Sequence, residues 1–120
     1  MTYIGTDIVD ISRIKNMIQS KGSNFLNHIY SEVEIKYCSQ RINPEIHYAG
    51  RFSAKEAIKK ALLSSSLFDK VLLKDIIIDR DDSGTPLVKL PEQFSTKGIV
   101  NVSISHTDNY ATATAIFQLI

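Results

Sequence analysis

Apolar positions follow two rhythms along this chain, a helical period in its first part and β-branched runs after it. Ile11, Ile14, Met17 and Ile18 recur three and four apart, between Asp10, a good cap, and Gly22, a common stop. Ahead of them, Tyr3 to Val9 reads as a strand interrupted by Gly5 and Asp7. A second helical piece is predicted over Asn24 to Tyr30. Ser31 and Glu34 then stand at capping-box spacing and open a third helix. Asn43-Pro44 starts a fourth, the longest, predicted to run to about Leu63.

From Val71 onward the predicted elements are strands: Val71 to Asp79, Leu87 to Leu90, Ile99 to Ser105 and Tyr110 to Leu119. Asp81-Asp82-Ser83-Gly84-Thr85-Pro86 is a turn between the first two, and His106-Thr107-Asp108-Asn109 joins the last two as a hairpin. Helices first and antiparallel strands after predict an α+β domain, with the first strand returning to the later sheet. That return would bring Asp7 near the long helix and the second hairpin.

The long helix carries the densest chemistry. Ala54, Ala57, Ile58, Ala61 and Leu62 form its apolar stripe, while Phe52, Glu56 and Lys60 are four apart and share another face. On a solvated helix, Glu56 and Lys60 would be a surface pair contributing only ~0.3–0.5 kcal/mol. Phe52 on the same face argues that this side is also covered, and a covered glutamate must be paired or bind a metal. Arg51, Lys55, Lys59 and Lys60 around that one carboxylate also suit a polyphosphate ligand.

Asp7 stands among Ile4, Ile8, Val9 and Ile11, where an aspartate either ends the strand by local hydrogen bonding or acts as a ligand. If it meets Glu56, two hard carboxylates match a magnesium ion that keeps waters and takes phosphate oxygens. Val102-Ser103-Ile104-Ser105-His106-Thr107 ends a strand with hydroxyls and a turn imidazole, which are either structural or hold a phosphate. Gly84-Thr85-Pro86 reads as an ordinary turn, and Tyr30, Tyr37, Tyr48 and Tyr110 as core or interface aromatics.

Composition narrows the partners. The sequence has 120 residues, 43% of them hydrophobic, enough for one domain over residues 1–120 with a single core. A site for a large ligand on so small a chain invites completion by a second subunit. The formal charge of +1 argues against nucleic acid or an anionic membrane surface as partner. Cys38 is the only cysteine, which excludes an intrachain disulfide. No apolar run of ~20 residues and no basic leader occur, so a cytoplasmic protein is expected.

Three motifs together resemble the holo-acyl-carrier-protein synthase family of phosphopantetheinyl transferases, over nearly the whole chain. They are Gly5-Thr6-Asp7-Ile8-Val9-Asp10-Ile11-Ser12-Arg13-Ile14, then Arg51-Phe52-Ser53-Ala54-Lys55-Glu56-Ala57 with Lys60, then Val102-Ser103-Ile104-Ser105-His106-Thr107. The resemblance implies transfer of the 4'-phosphopantetheine arm of coenzyme A to a serine of apo acyl carrier protein, for fatty acid biosynthesis. It implies Asp7 and Glu56 as magnesium ligands and Lys60 and His106 as contacts to the coenzyme A phosphates. Arg51, Lys55, Ser105 and Thr107 would line the same site. Gly84 and Pro86 match a Gly-x-Pro turn beside the nucleotide, and Arg13, with Lys15, falls on the carrier-protein docking helix. A homotrimer with sites between subunits is implied as well. The chain departs from the family where a glycine-rich turn usually follows the long helix, since it reads Ser64-Ser65-Ser66 there, and Thr85 replaces a basic residue often found beside the nucleotide. A coenzyme A or nucleotide-binding module without catalysis is the rival reading; it would keep Lys60 and His106 but need no metal.

Overall fold

The apolar rhythms fold as their spacing requires in the first part of the chain. The computed structural model describes all residues, Met1–Ile120. Strand β1 (Thr2–Asp10) leads into α1 (Ile11–Lys21), α2 (Ser23–Ile29), α3 (Glu32–Ser39) and the long α4 (Pro44–Ser64). Asp10 caps α1 by accepting from the Ser12 amide, and Gly22 ends it at φ 54°. Ser31 and Glu34 form both halves of the capping box that opens α3. Asn43 differs from expectation, because it makes no side-chain cap for α4; its carbonyl instead accepts from the Ile46 amide at 3.1 Å.

The remaining elements are β2 (Ile77–Arg80), β3 (Pro86–Lys89), a short α5 (Glu92–Ser95), β4 (Gly98–His106) and β5 (Tyr110–Leu119). The first strand does return: β1 pairs antiparallel with β5, which pairs antiparallel with β4. The strand expected over Val71 to Asp79 begins only at Ile77, because Leu73–Asp75 coils into a 3-10 turn. The Leu73 and Ile76 carbonyls flanking that turn accept from the Lys55 ammonium rather than from a neighbouring strand. The hairpin of β2 and β3 is therefore a second, separate sheet. Helix α5, unforeseen, follows Pro91 and carries Phe94 into the core.

Helix α4 lies along one face of the three-stranded sheet, and its apolar residues divide between two clusters. Ala54, Ala57, Ile58, Ala61 and Leu62 meet Ala113, Ala115 and Phe117 of β5. Tyr48 and Ala49 meet Val9, Ile11 and Ile14, with Phe52 packed at the edge. Phe52 is thus covered by a second core, as its place opposite the alanine stripe required. Gly5 makes the close approach possible, since a Cβ there would stand 2.0 Å from the Ala57 carbonyl oxygen. No helix is long and apolar enough to cross a membrane.

Candidate active site

Side chains alternate across β1, so Tyr3, Gly5, Asp7 and Val9 point toward α4 while Ile4, Thr6 and Ile8 point away. Asp7 meets the helix at two levels. Its carbonyl oxygen accepts from the Ser53 hydroxyl at 3.1 Å, and its Oδ1 accepts from the Lys60 ammonium at 3.3 Å. Glu56 lies on the turn between those two residues and is half-buried. Lys60 also donates to the Thr6 carbonyl at 2.9 Å, and a cavity of about 340 Å³ opens beside Asp7, Lys60 and Thr112.

Asp7 Oδ2 is buried and has no hydrogen-bond partner. A buried carboxylate oxygen without a donor is unfavourable unless a cation or a ligand donor completes it. No group of three or more His, Cys, Asp or Glu side chains gathers there or elsewhere. Two hard oxygen donors and little else fit a magnesium ion that keeps waters and phosphate oxygens in its remaining positions.

A second cavity of about 250 Å³ lies between α3, α4, the β2–β3 hairpin and the end of β4. It gathers Tyr37, Arg51, Arg80, Gly84, Pro86 and His106. Three guanidinium groups surround the Tyr37 ring: Arg41 at 4.0 Å, Arg51 at 4.2 Å and Arg80 at 5.0 Å from its centroid. Arg80 also donates to the Tyr37 hydroxyl. The Arg51 Nε is buried without an acceptor. His106 Nδ1 stands 3.1 Å from the Thr107 carbonyl oxygen, a contact that orients the ring at the edge of the cavity. His47, on the same wall, is held below the ordinary histidine pKa by burial first, then by Arg51 and Arg41. Cations crowded together with unused donors are a phosphate-binding arrangement.

The structure thus brings Asp7 and Lys60 together, with Glu56 on the turn of α4 between Ser53 and Lys60, and gathers Arg51, Gly84, Pro86 and His106 in a separate cavity. Lys55 is not with them. Its ammonium is enclosed, 2.7 Å from Glu34 on α3, and donates to the Leu73 carbonyl in the 3-10 turn. Ser105 alternates away from Ile104 and stands on the outer face of the sheet, opposite Thr112. The Thr107 hydroxyl accepts from the Asn109 and Tyr110 amides and so shapes the hairpin turn. Arg13 and Lys15 are exposed on α1.

The serine turn after α4 is used locally. The Ser64 and Ser65 hydroxyls donate to the Ala61 and Leu62 carbonyls at 2.8 and 2.6 Å, and Ser66 adopts a left-handed φ of 64°. Burial pushes the Cys38 thiol up to about 11, so it stays protonated and unreactive at neutral pH. Sequence reasoning missed Tyr37, Arg41, His47 and Arg80. His47 stands four residues before Arg51 on the same helix face, a spacing that would have exposed it.

A buried carboxylate oxygen beside a lysine and a separate cationic cleft suit a phosphate-bearing ligand, and the chain belongs to the 4'-phosphopantetheinyl transferase superfamily, whose family model matches residues 3–115. It is 46% identical over 117 residues to the holo-[acyl-carrier-protein] synthase of Chlamydia pneumoniae, covering 95% of this chain and 94% of the relative. It is 39% identical over 119 residues to the enzyme of the same name from Protochlamydia amoebophila, covering 96% of each. Its fold matches the Chronobacterium ammoniagenes ACPS–CoA complex with a TM-score of 0.84 at 26% identity, over 100% of this chain and 98% of that one. It also matches the Helicobacter pylori holo-[acyl-carrier-protein] synthase in complex with coenzyme A, with a TM-score of 0.83 at 29% identity, over 96% and 99% of the two chains.

Proposed function

We propose that this chain transfers the 4'-phosphopantetheine moiety of coenzyme A to a serine of apo acyl carrier protein, releasing adenosine 3',5'-bisphosphate, and that it serves fatty acid biosynthesis in the cytoplasm. The observation that carries this reading is the buried Asp7 Oδ2 without a donor beside Lys60. The names of the relatives and the coenzyme A complexes among the similar structures support the substrates.

Asp7 and Glu56 would hold a magnesium ion. When bound, that ion supplies positive charge to the diphosphate oxygens. The reaction forms a bond between the serine oxygen and the β-phosphorus and breaks the bond from that phosphorus to the bridging oxygen. Lys60 donates toward the charge that collects on the leaving phosphate. The serine proton goes to Glu56 or to a water of the site. Arg51 and His106, with the Gly84–Pro86 turn, take the phosphorylated adenosine end of coenzyme A.

Residues 1–120 act as one domain in this reading, and three copies assemble. The outer sheet face supports assembly, because Ile4, Ile8 and Ile99 are 63%, 67% and 59% exposed on it. Ser105 lies on that face, so its contact with coenzyme A would be to the site of a neighbouring subunit. Exposed Arg13 and Lys15 suit an acidic carrier protein. The test is direct: apo carrier protein, coenzyme A and magnesium are mixed with the protein and the carrier's intact mass is measured. Addition of the phosphopantetheine mass, lost when the metal is omitted, is expected. Coenzyme A binding that is indifferent to magnesium, with no transfer, would favour a binding module instead.

A further inference from the structure

The walls of the cationic cavity meet at one buried ion pair. Glu34 and Lys55 are both fully buried and 2.7 Å apart. Glu34 Oε1 also accepts from the Ser31 amide at 2.8 Å, and its Oε2 accepts from the Ile78 amide at 2.9 Å. Lys55 donates to the Leu73 and Ile76 carbonyls at 3.0 and 2.5 Å. One pair therefore ties α3, α4 and the entry to β2 together with every polar atom engaged.

Each tie lies one short step from a cavity residue. Tyr37 follows Glu34 by three positions on α3, Arg51 precedes Lys55 by four on α4, and Arg80 follows Ile78 by two on β2; each interval returns to the same face of its element. Those three residues are the ones stacked and hydrogen-bonded to one another at the cavity. The acidic end of the site has a separate anchorage, since Asp7 is held by Ser53, Lys60 and Thr112. Isolated charges are unfavourable in a core, and apolar residues would fill this volume with less desolvation. A fully bonded pair fixes direction as well as distance, which an apolar contact does not.

We propose that Glu34 and Lys55 are positioning residues for the nucleotide end of coenzyme A, setting the register of Tyr37, Arg51 and Arg80 without touching the ligand themselves. This rests on the function proposed above. Loosening the pair should spoil the cavity while leaving the Asp7 region and the α1 docking face in place.

The test compares the wild-type protein with Lys55→Met, Glu34→Gln and the double variant. Coenzyme A affinity is measured by calorimetry, and KM for each substrate and kcat by the transfer assay, with thermal melts alongside. Each single variant should weaken coenzyme A binding and raise its KM by about tenfold or more, with the KM for the carrier protein within about twofold of wild type. The double variant should be no worse than the worse single, because it leaves no unpaired charge. If the singles do not fold, Glu34→Asp, which keeps the charge but withdraws it from the Ile78 amide, carries the same split. Equal losses toward both substrates, or lower melting temperatures with unchanged coenzyme A affinity, would overturn the positioning role. A wild-type protein that neither binds coenzyme A nor transfers would sink the functional reading itself.

Discussion

Lys60 Nζ lies 3.3 Å from Asp7 Oδ1, joining strand β1 to helix α4 across 53 positions of sequence. The second carboxylate oxygen has no such partner, so the pair neutralises only part of the aspartate's demand. Asp7→Asn and Glu56→Gln should each lower magnesium-dependent transfer by roughly a hundredfold or more, the scale of losing one charged group at a reacting phosphate, with the fold retained. Rates across a magnesium titration check this. Near-normal turnover at low magnesium would reject the ligand assignment.

Gly5 governs how closely that strand approaches. A methyl group there would meet backbone atoms of Ala57 and Ala61 at 2.0 and 2.7 Å, and backbone does not swing aside as a side chain does. Gly5→Ala should therefore cost on the order of 3 kcal/mol, the upper range for overpacking, and push Asp7 off the helix with the strand. A urea midpoint and a transfer rate that fall together would fit; an unchanged midpoint would mean the strand has room to move.

Much of this was legible in the order of residues because it depends on short spacings. The strand over Tyr3 to Val9 and the fourfold step from Glu56 to Lys60 are local patterns, and the structure keeps both. What was not legible depends on partners distant in sequence. Lys55 looked like a site cation, yet Glu34, its partner, reads in sequence only as a capping-box residue. The same glutamate does both jobs, and nothing local signals the second. The 3-10 turn at Leu73–Asp75 was hidden for the same reason, since the lysine that takes its flanking carbonyls comes from α4.

The cationic cleft carries a pH dependence. Burial, Arg51, Arg41 and His106 all lower the His47 pKa, with Glu45 opposing. Below the ordinary histidine value near 6.5, the unfolded chain therefore binds a proton that the native state resists. Stability contributed by neutral His47 is complete above that pH and is lost as pH falls below it. The urea midpoint should drop between about pH 7 and pH 5.5, a range above the carboxylate titrations, and His47→Gln should flatten that drop. An equal drop in the variant would place the effect in another group.

Ser66 holds a left-handed φ of 64° that glycine adopts without a Cβ penalty. Its neighbours spend their hydroxyls on helix carbonyls, so the turn is held by hydrogen bonds. Ser66→Gly should stabilise the fold by about 1 kcal/mol, seen as a rise of several degrees in Tm for a chain of this size. A fall in Tm would show that the serine makes a contact worth more than the strain.

In the proposed function, docking of the carrier protein should separate from nucleotide binding in space, because Arg13 is exposed on α1 while the cationic cleft is lined from α3, α4 and the β2–β3 hairpin. An exposed arginine facing an acidic partner acts mainly through encounter and orientation, and its effect is screened by salt. Arg13→Glu should therefore raise the KM for the carrier protein by about tenfold or more at low ionic strength, leave the KM for coenzyme A nearly unchanged, and lose part of its effect as salt is added. Lys15→Glu, two positions further along α1, should act in the same direction. Equal rises in both KM values would move the docking face elsewhere on the surface.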